Sequence, residues 1–320
     1  MQDRFELSNL FRLQGYWLVS PSIQRTMLTV CLALTPGILS SVFVFGPDIL
    51  LNLLFAIIAG LCLELLFYRL ILQQPINSFP LDASGAVMAI IFALSLPPGV
   101  SGWVLLIGIT FAIVFGKYIY GGTGHNLFNP AMVGVATLLV SFPVEMSQWL
   151  PTTDTVTGAT PLDDLRTRLQ LSQMISEVGE EEIFGYFGAC GHEWINLSFL
   201  AGGLILIQQK IIRWHIPAGV LTGLSLMALF FQLVDPDRYA NVFFHLFGGA
   251  TMLCAFFVAT DPVTSPMTSK GRLIYGLLIG ITIYAIRTWG KYPEGVAFAV
   301  LMMNATVPVL DHFTRPKSTL

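Results

Sequence analysis

The sequence predicts an all-α integral membrane protein in which ten transmembrane helices form two inverted five-helix repeats with broken helices. Three observations predict this fold class: the composition, a series of apolar segments, and a similarity between the two halves. Of the 320 residues, 54% are hydrophobic and 11% are charged, whereas soluble domains have about 45–50% apolar and about 25% charged residues. The chain is therefore expected to contact membrane lipid, and its net charge of −3 gives no reason to expect a nucleic-acid partner.

The apolar segments are the second observation. A helix needs about 20 mostly apolar residues to cross the hydrocarbon core of a bilayer. Ten segments approach this requirement, although several are short: residues 27–45, 49–70, 84–96, 102–120, 130–142, 195–209, 217–234, 242–260, 272–287 and 296–310.

The internal similarity is the third observation. Residues 84–98 (SGAVMAIIFALSLPP) align without gaps on residues 248–262 (GGATMLCAFFVATDP), and the matches include a glycine near the start and a proline near the end. Five spans followed by five spans place the halves in opposite orientations, an arrangement that puts binding sites at the interface between repeats.

The distribution of Lys and Arg predicts the orientation. Eleven basic residues fall on the side of the termini and five on the other side, which favours both termini in the cytoplasm. Arg287 and Lys291 belong to the five and go against this rule. The connection 143–193 then lies outside the cytoplasm, and its nine acidic residues and two arginines indicate a hydrated loop.

Within the segment 115–134, the glycines at 121, 122 and 124, followed by Asn126, Asn129 and Pro130, interrupt the apolar pattern. Such residues break a helix, and broken helices at membrane depth occur where protein or a water-filled cavity satisfies the backbone. Asn126 and Asn129 could hydrogen-bond the polar edge of a heterocyclic cofactor or a quinone. The alternative is a surface turn between two spans.

Two carboxylates lie in or next to apolar spans, where an unpaired charge is costly. Glu64 is a candidate for a cation path, or it pairs with a hydrogen-bond donor on a neighbouring helix. Asp261 follows Thr260 at the end of a span and is a second candidate for this path, or it caps a turn with Pro262. The histidines and four cysteines lack metal-ligand spacing, so no metal site is expected.

The stretch DTVTGATPLDDL (154–165) is polar and turn-like within the loop 143–193. It could be a linker or a target of covalent modification. Modification would need an outside agent, because a threonine hydroxyl is a poor nucleophile by itself. Its residues match the flavinylation motif D-x-x-[ST]-G-A-[ST]. Together with other stretches, it resembles the D subunits of the Rnf (also called Rsx) electron-transport complexes over residues 23–316, and more distantly the B subunit of the sodium-pumping NADH:quinone reductase. These stretches are GKYIYGGTGHNLFNPAMVG, SFPVEMSQWLP, ATPLDDLR, IRWHIP, TDPVTSPMTSKGRLIYG and YPEGVAFAVLMMNATVPVLD.

The resemblance implies that Thr160 carries FMN through a phosphoester bond made by a flavin transferase. Asp154, Thr157, Gly158 and Ala159 would form the recognition sequence of that transferase. The family often has serine where Thr157 stands, and threonine keeps the hydroxyl, so flavinylation is expected to survive.

A second, non-covalent flavin, riboflavin, is also implied by the resemblance. By motif position we expect it near Asn126 and Asn129, with Thr260 and Asp261 contributing from the other repeat. The implied role is a subunit, inactive alone, of a translocase that couples electron transfer between NADH and ferredoxin to Na⁺ or H⁺ movement. The implied partners are RnfA, RnfB, RnfC, RnfE and RnfG, and iron–sulfur clusters would belong to other subunits.

The apolar spans and the predicted orientation divide the chain, and the resemblance locates it in the bacterial inner membrane. A cytoplasmic segment (1–26) precedes the first membrane repeat (27–142); a periplasmic loop with the FMN (143–193), the second repeat (194–310) and a cytoplasmic tail (311–320) follow. Two rival functions remain: a small-solute transporter or channel without a redox role, and a structural anchor for partner subunits. A passive channel has no reason to carry a flavinylation motif.

Overall fold

The computed structural model describes residues 21–71, 73, 79, 83–149, 158–171, 174–177, 183–292 and 294–315. Asp154 and Thr157 of the predicted recognition sequence lie outside these residues. The described part is mostly helical, and its helices follow the predicted apolar segments. In the first half they are α1 (Pro21–Phe45), α2 (Asp48–Leu70), α3 (Ser84–Leu94), α4 (Gly102–Gly116) and α5 (Pro130–Ser141).

The described part of the predicted hydrated loop includes the short helices α6 (Pro143–Ser147) and α7 (Pro161–Gln170). Leu162 and Leu165 of α7 are buried in a small apolar cluster with Ile183, Ala189 and Phe244. The loop is therefore partly folded against the second half of the chain.

The second half repeats the series of long and broken helices. Its elements are α8 (His192–Gln208), α9 (His215–Val234), α10 (Val242–Leu246), α11 (Thr251–Leu253), which continues as a π-helix (Cys254–Val258), α12 (Ser269–Trp289) and α13 (Val296–Thr314).

Six helical segments among the described residues are long and apolar enough to cross a membrane. Helices α3 and α5 have 11 and 12 residues, which at about 1.5 Å per residue is shorter than the roughly 30 Å hydrocarbon core. Large apolar side chains such as Leu32, Phe43 and Leu51 are exposed on the long helices, as a lipid-facing surface requires. The structure is thus that of an all-α membrane protein, and the count of ten spans stays a prediction. The six segments are Ile23–Phe45, Asp48–Leu70, Gly102–Tyr120, His215–Val234, Ser269–Trp289 and Val296–Thr314.

Helices α1 and α8 pack closely in opposite directions. The hydroxyl oxygens of Ser40 and Ser198 lie 2.5 Å apart, and further along, Gly202 approaches the carbonyl of Ala33 so closely that a Cβ would overlap it. Residue numbers rise along α1 while they fall along α8, so the first long helices of the two halves are antiparallel.

The predicted helix break after α4 is confirmed. A short 3₁₀ turn (Tyr118–Tyr120) follows α4, and Gly121, Gly122 and Gly124 adopt positive φ angles. The Asn129 side chain then accepts a hydrogen bond from the backbone N–H of Met132 and caps the N-terminus of α5. A side-chain acceptor at this position satisfies one of the helix's unpaired donors.

The prediction of one continuous span over 242–260 is wrong. The chain breaks between α10 and α11 at Gly249, whose φ is +54°, a conformation that glycine adopts with little strain. The Glu294 carboxylate accepts a hydrogen bond from the backbone N–H of Ala250 (3.0 Å), and the Asn196 amide donates to the carbonyl of Gly249 (2.8 Å). Side chains from distant parts of the chain therefore replace the missing helical bonds.

Two candidate cavities at opposite ends of the α1 and α8 pair

A cavity of about 280 Å³ lies between the two halves of the chain and is lined by Thr160; we call it the Thr160 cavity. Ser41 and Phe45 near the end of α1 line it, together with His192 at the start of α8 and Val296 at the start of α13. The predicted flavinylation site thus borders a cavity built from both halves.

Thr160 is the N-cap residue of α7. Its Oγ1 accepts a hydrogen bond from the backbone N–H of Asp163 (3.3 Å), and Pro161 occupies the first helical position. Gly158 exchanges two backbone hydrogen bonds with Trp149 (3.1 and 2.6 Å), which fixes the chain just before Thr160. The Thr160 side chain is half-buried, so its hydroxyl lies at the border between cavity and surface.

The first turn of α7 carries two carboxylates next to Thr160. Burial raises the pKa of Asp163 above its usual range, the nearby Arg166 guanidinium opposes this shift, and Asp164 adds to it. Asp163 also lines the Thr160 cavity. A helix N-terminus attracts phosphate, and a less readily ionised Asp163 reduces the repulsion of such a group.

Arg287 is buried and pairs with Glu294, which lines the Thr160 cavity. Its guanidinium donates to the carbonyl of His245 (2.8 Å), the hydroxyl of Thr251 (3.0 Å) and the Glu294 carboxylate (2.9 Å). The charge of Arg287 is therefore neutralised within the protein, which accounts for one of its two departures from the positive-inside rule. Glu294 and Lys291 both line the Thr160 cavity.

A second cavity, of about 200 Å³, contains all four residues predicted to surround a second flavin: Asn126, Asn129, Thr260 and Asp261. We call it the Asn126 cavity. Thr26 near the start of α1 also lines it, so it lies at the opposite end of α1 from the Thr160 cavity. The structure thus brings these four residues to one cavity, and their contact with a second flavin stays a prediction.

The asparagines also have local structural roles. The Asn129 amide donates to the carbonyl of Val258 (3.2 Å), and the backbone N–H of Asn129 donates to Oδ1 of Asn304 (3.0 Å). The Asn126 amide donates to the carbonyl of Phe128 (3.1 Å). Asn129 therefore joins the breaks of the two halves, and its carboxamide uses one donor and one acceptor within the protein.

Asp261 forms the turn that the sequence offered as an alternative. Its Oδ1 accepts from the backbone N–H of Val263 (3.1 Å), and its Oδ2 accepts from the hydroxyl of Thr264 (3.1 Å). The Thr260 hydroxyl donates to the carbonyl of Phe256 (2.7 Å). Asp261 still lines the Asn126 cavity, so capping a turn does not remove it from that surface.

Glu64 forms a buried ion pair. Its Oε1 lies 2.5 Å from Nζ of Lys117, and the Tyr118 hydroxyl donates to the Glu64 carbonyl (3.0 Å). Glu64 thus pairs with a donor, as the alternative predicted, although Lys117 lies just past the end of α4 and not within a helix. Glu64 and Asp261, proposed together for a cation path, have separate hydrogen-bond partners.

Known proteins resemble this chain along nearly its whole length. Residues 13–319 match the NQR2, RnfD, RnfE family. The chain belongs to this family. Similar members, each named as the D subunit of an ion-translocating oxidoreductase complex, come from Aeromonas hydrophila (44% identical), Aeromonas salmonicida (43%) and Pseudomonas aeruginosa (42%). The Aeromonas matches cover 92% of this chain and 93% of each relative, and the Pseudomonas match covers 93% and 91%.

Sequence reasoning missed several buried polar residues of this family member. Lys117 and Arg287 entered only as topology markers, and Asn304 and Asn196 were not considered. Their signal in the sequence was their position, since each lies within or next to an apolar span, where a polar side chain needs a partner. The expectation that the chain binds no metal stays a prediction.

Proposed function

We propose that this chain is a membrane flavoprotein subunit of an Rnf complex, passing electrons between FMN esterified to Thr160 and a second flavin in the Asn126 cavity. The electron transfer, between NADH and ferredoxin in the complete complex, is coupled to Na⁺ or H⁺ translocation. The similarity to proteins named as subunits of an ion-translocating oxidoreductase complex supports the general role. The observation that carries the cofactor assignment is the position of Thr160 at a cavity between the two halves.

The separation of the two cavities supports transfer across the membrane. Thr26 and Phe45 line different cavities, and 19 residues of helix α1 separate them. At about 1.5 Å per residue, they are roughly 28 Å apart, which approaches the roughly 30 Å thickness of the hydrocarbon core. A redox group in each cavity would therefore place one near each membrane surface.

The Thr160 cavity fits a ring system that is attached at its edge. Ligand cavities usually occupy roughly 300–1,000 Å³ and combine apolar walls with a few polar groups, and this one, at about 280 Å³, has Met132, Val135 and Leu139 on one wall. The half-buried Thr160 would hold the phosphate at the N-terminus of α7, while Tyr292 and His192 would flank the ring. A bound flavin supplies the electron-transfer chemistry, and the protein supplies position and electrostatics.

The mixed polar and apolar lining of the Asn126 cavity suits a second flavin without a phosphate. Its polar lining includes Asn126, Thr260 and Asp261, while Met88 and Phe257 supply apolar surface. We assign the contact with the ring edge to Asn126 in preference to Asn129, because the Asn129 carboxamide bonds both Met132 and Val258, whereas the Asn126 carboxamide donates to the Phe128 carbonyl.

An inverted repeat of two five-helix units is part of the proposal. Three features support it. Helices α1 and α8 are antiparallel, and each half contains a broken helix. The two aligned segments also run in opposite directions between the cavities, so that each begins at the cavity where the other ends. Residues 84–91 line the Asn126 cavity and 93–96 the Thr160 cavity, whereas 249–253 line the Thr160 cavity and 256–263 the Asn126 cavity. The proposal places the FMN loop in the periplasm. The proposed partners are RnfA, RnfB, RnfC, RnfE and RnfG.

The test is covalent flavinylation at Thr160. The chain is produced with the flavin transferase, separated on a denaturing gel and viewed under ultraviolet light. The wild type and Thr160→Ser are expected to fluoresce, and Thr160→Ala is expected to be dark. Thr167→Ala is the matched control, because Thr167 lies in the same helix but its hydroxyl bonds only within the helix (Asp163 carbonyl, 2.8 Å).

A dark wild-type band, or fluorescence that persists in Thr160→Ala, would rule out the FMN assignment. The first result would favour the alternative function, a transporter or channel without a redox role. The second would move the attachment to another residue.

A further inference from the structure

We propose that the Lys117 ammonium is a tethered counter-ion in the position that the transported cation takes at Glu64. A Na⁺ ion or a proton would then reach this carboxylate only when Lys117 moves away toward the Asn126 cavity. The inference rests on the cation translocation proposed above, but it requires neither flavin.

The Glu64 and Lys117 pair is almost fully enclosed. The side chains are 4% and 8% exposed, and Nζ lies 2.5 Å from Oε1. Gly85 at the start of α3 closes the other side, since a Cβ there would overlap the Glu64 carboxylate. Removing one partner from such a site leaves an uncompensated buried charge, so Glu64 requires a cation at all times.

Lys117 is placed so that it can leave. It follows the end of α4, with backbone angles of −128° and −61° that are not helical, and it precedes a 3₁₀ turn and glycines with positive φ angles. Lys117 also lines the Asn126 cavity, where Asp261 offers a second carboxylate. A flexible lysine stem can carry the ammonium from one carboxylate toward the other.

The other half of the chain contains a comparable pair that is locked. Gly249, which aligns with Gly85, lies against the Glu294 carboxylate, and its cation is the Arg287 guanidinium. Arg287 also donates to the His245 carbonyl and the Thr251 hydroxyl, and a guanidinium keeps its charge at all accessible pH values. The two halves therefore differ in the residue that fills the cation position, and the lysine is the exchangeable one.

The exchange conserves charge at Glu64. One monovalent cation arrives as one ammonium leaves, so the buried carboxylate is neutralised before and after. Cation binding at Glu64 and the presence of Lys117 there are consequently mutually exclusive.

The first test measures how accessible Lys117 is in the complete, unmodified complex. Acetic anhydride, which crosses membranes, acylates free amines, and mass spectrometry measures modification of Lys117 relative to the exposed Lys270. When Na⁺ replaces choline at constant ionic strength, the relative modification is expected to rise at least about fivefold, the lower end of usual coupling between binding events. If the cation is a proton, lowering the pH produces the rise instead.

A second test measures cation binding in variants of Lys117 and Glu64. Lys117→Met is expected to gain one site for ²²Na⁺ in equilibrium dialysis, or to take up one proton. The double variant Lys117→Met/Glu64→Gln is expected to lose this gain. Lys270→Met, which removes an exposed lysine, is the control and should bind cations as the wild type does.

Modification of Lys117 that responds to neither Na⁺ nor pH would overturn the proposal, as would a Lys117→Met complex without an added Na⁺ site or proton. These results do not depend on Thr160, since the complex can be prepared with Thr160→Ala. A failure here is thus distinguishable from a failure of the flavin assignment.

Discussion

At the scale of single residues, Asn304 joins three parts of the protein. Its Oδ1 accepts from the backbone N–H of Asn129 (3.0 Å), and its amide donates to the Thr264 carbonyl (3.1 Å) and the Tyr275 hydroxyl oxygen (2.7 Å). The residue is fully buried. Because these groups have no access to bulk water, each depends on Asn304 as a partner.

We therefore expect Asn304→Leu to lower the free energy of unfolding, since each buried group left without a partner costs about 1–3 kcal/mol. The measurement is the midpoint of thermal unfolding of the purified protein in detergent. Thr306→Ala is the control, because the Thr306 hydroxyl bonds only a carbonyl of its own helix (Met303, 2.7 Å). Equal midpoints for the two variants would contradict the structural role of Asn304.

Residue identities predicted the members of the Asn126 cavity but, apart from the turn at Asp261, not their hydrogen bonds. The glycines, the Asn-Pro pair and the polar end of a span were visible in the sequence, and they indicated Asn126, Asn129, Thr260 and Asp261. The partnership of Glu64 with Lys117 was not visible, because it depends on how α2 and the end of α4 are rotated toward each other. The rotation of a helix that is apolar on all sides is set by its contacts with other helices, and a local sequence pattern does not reveal it.

At the scale of elements, the two helix breaks differ in how clearly the local sequence predicts them. The break after α4 contains three glycines followed by a proline, which are strong local signals. The break at Gly249 lies inside a long apolar run, and it is held open by Glu294, 45 residues further along the chain, and by Asn196, 53 residues before it. Contacts between distant residues are the part that local reasoning could not supply.

The break at Gly249 leads to a prediction about substitution by alanine. Gly249 and Gly46 both have positive φ angles (+54° and +90°), so alanine strains the backbone by about 1–2 kcal/mol at either position. A Cβ at Gly249 would also overlap the Glu294 carboxylate, whereas nothing lies within 4 Å of one at Gly46. Gly249→Ala is therefore expected to lower the midpoint of thermal unfolding more than Gly46→Ala.

The pair of variants compares backbone strain with and without a side-chain contact, because both glycines have positive φ angles and only Gly249 lies against other side chains. A Gly249→Ala midpoint equal to that of Gly46→Ala would mean that the carboxylate moves away freely. The Glu294 bond to the N–H of Ala250 would then not hold the break.

At the scale of the whole molecule, the orientation in the membrane is a prediction from the distribution of basic residues. Arg287, a departure from the positive-inside rule, is a buried structural cation. It therefore carries no information about which side faces the cytoplasm. The remaining basic residues still favour cytoplasmic termini, with the Thr160 loop on the other side.

Cys190 provides a test of this orientation within the native sequence. It is exposed next to α8, whereas Cys254 is buried; Cys62 is exposed within α2, a predicted membrane helix, where a water-soluble reagent does not reach it. We expect a membrane-impermeant maleimide to label Cys190 in cells whose outer membrane alone is opened, and Cys190→Ser to abolish this labelling. Arg213→Cys, in the exposed connection before α9, should react only after the inner membrane is permeabilised.

The reaction conditions follow from the chemistry of Cys190. Burial, and then the charge of Glu193, raise the pKa of its thiol, and the thiolate is the reactive form. Labelling should therefore accelerate as the pH rises past about 8.5, the ordinary thiol pKa. Labelling of Cys190 only after permeabilisation would place the Thr160 loop in the cytoplasm, where a periplasmic flavin transferase could not reach Thr160.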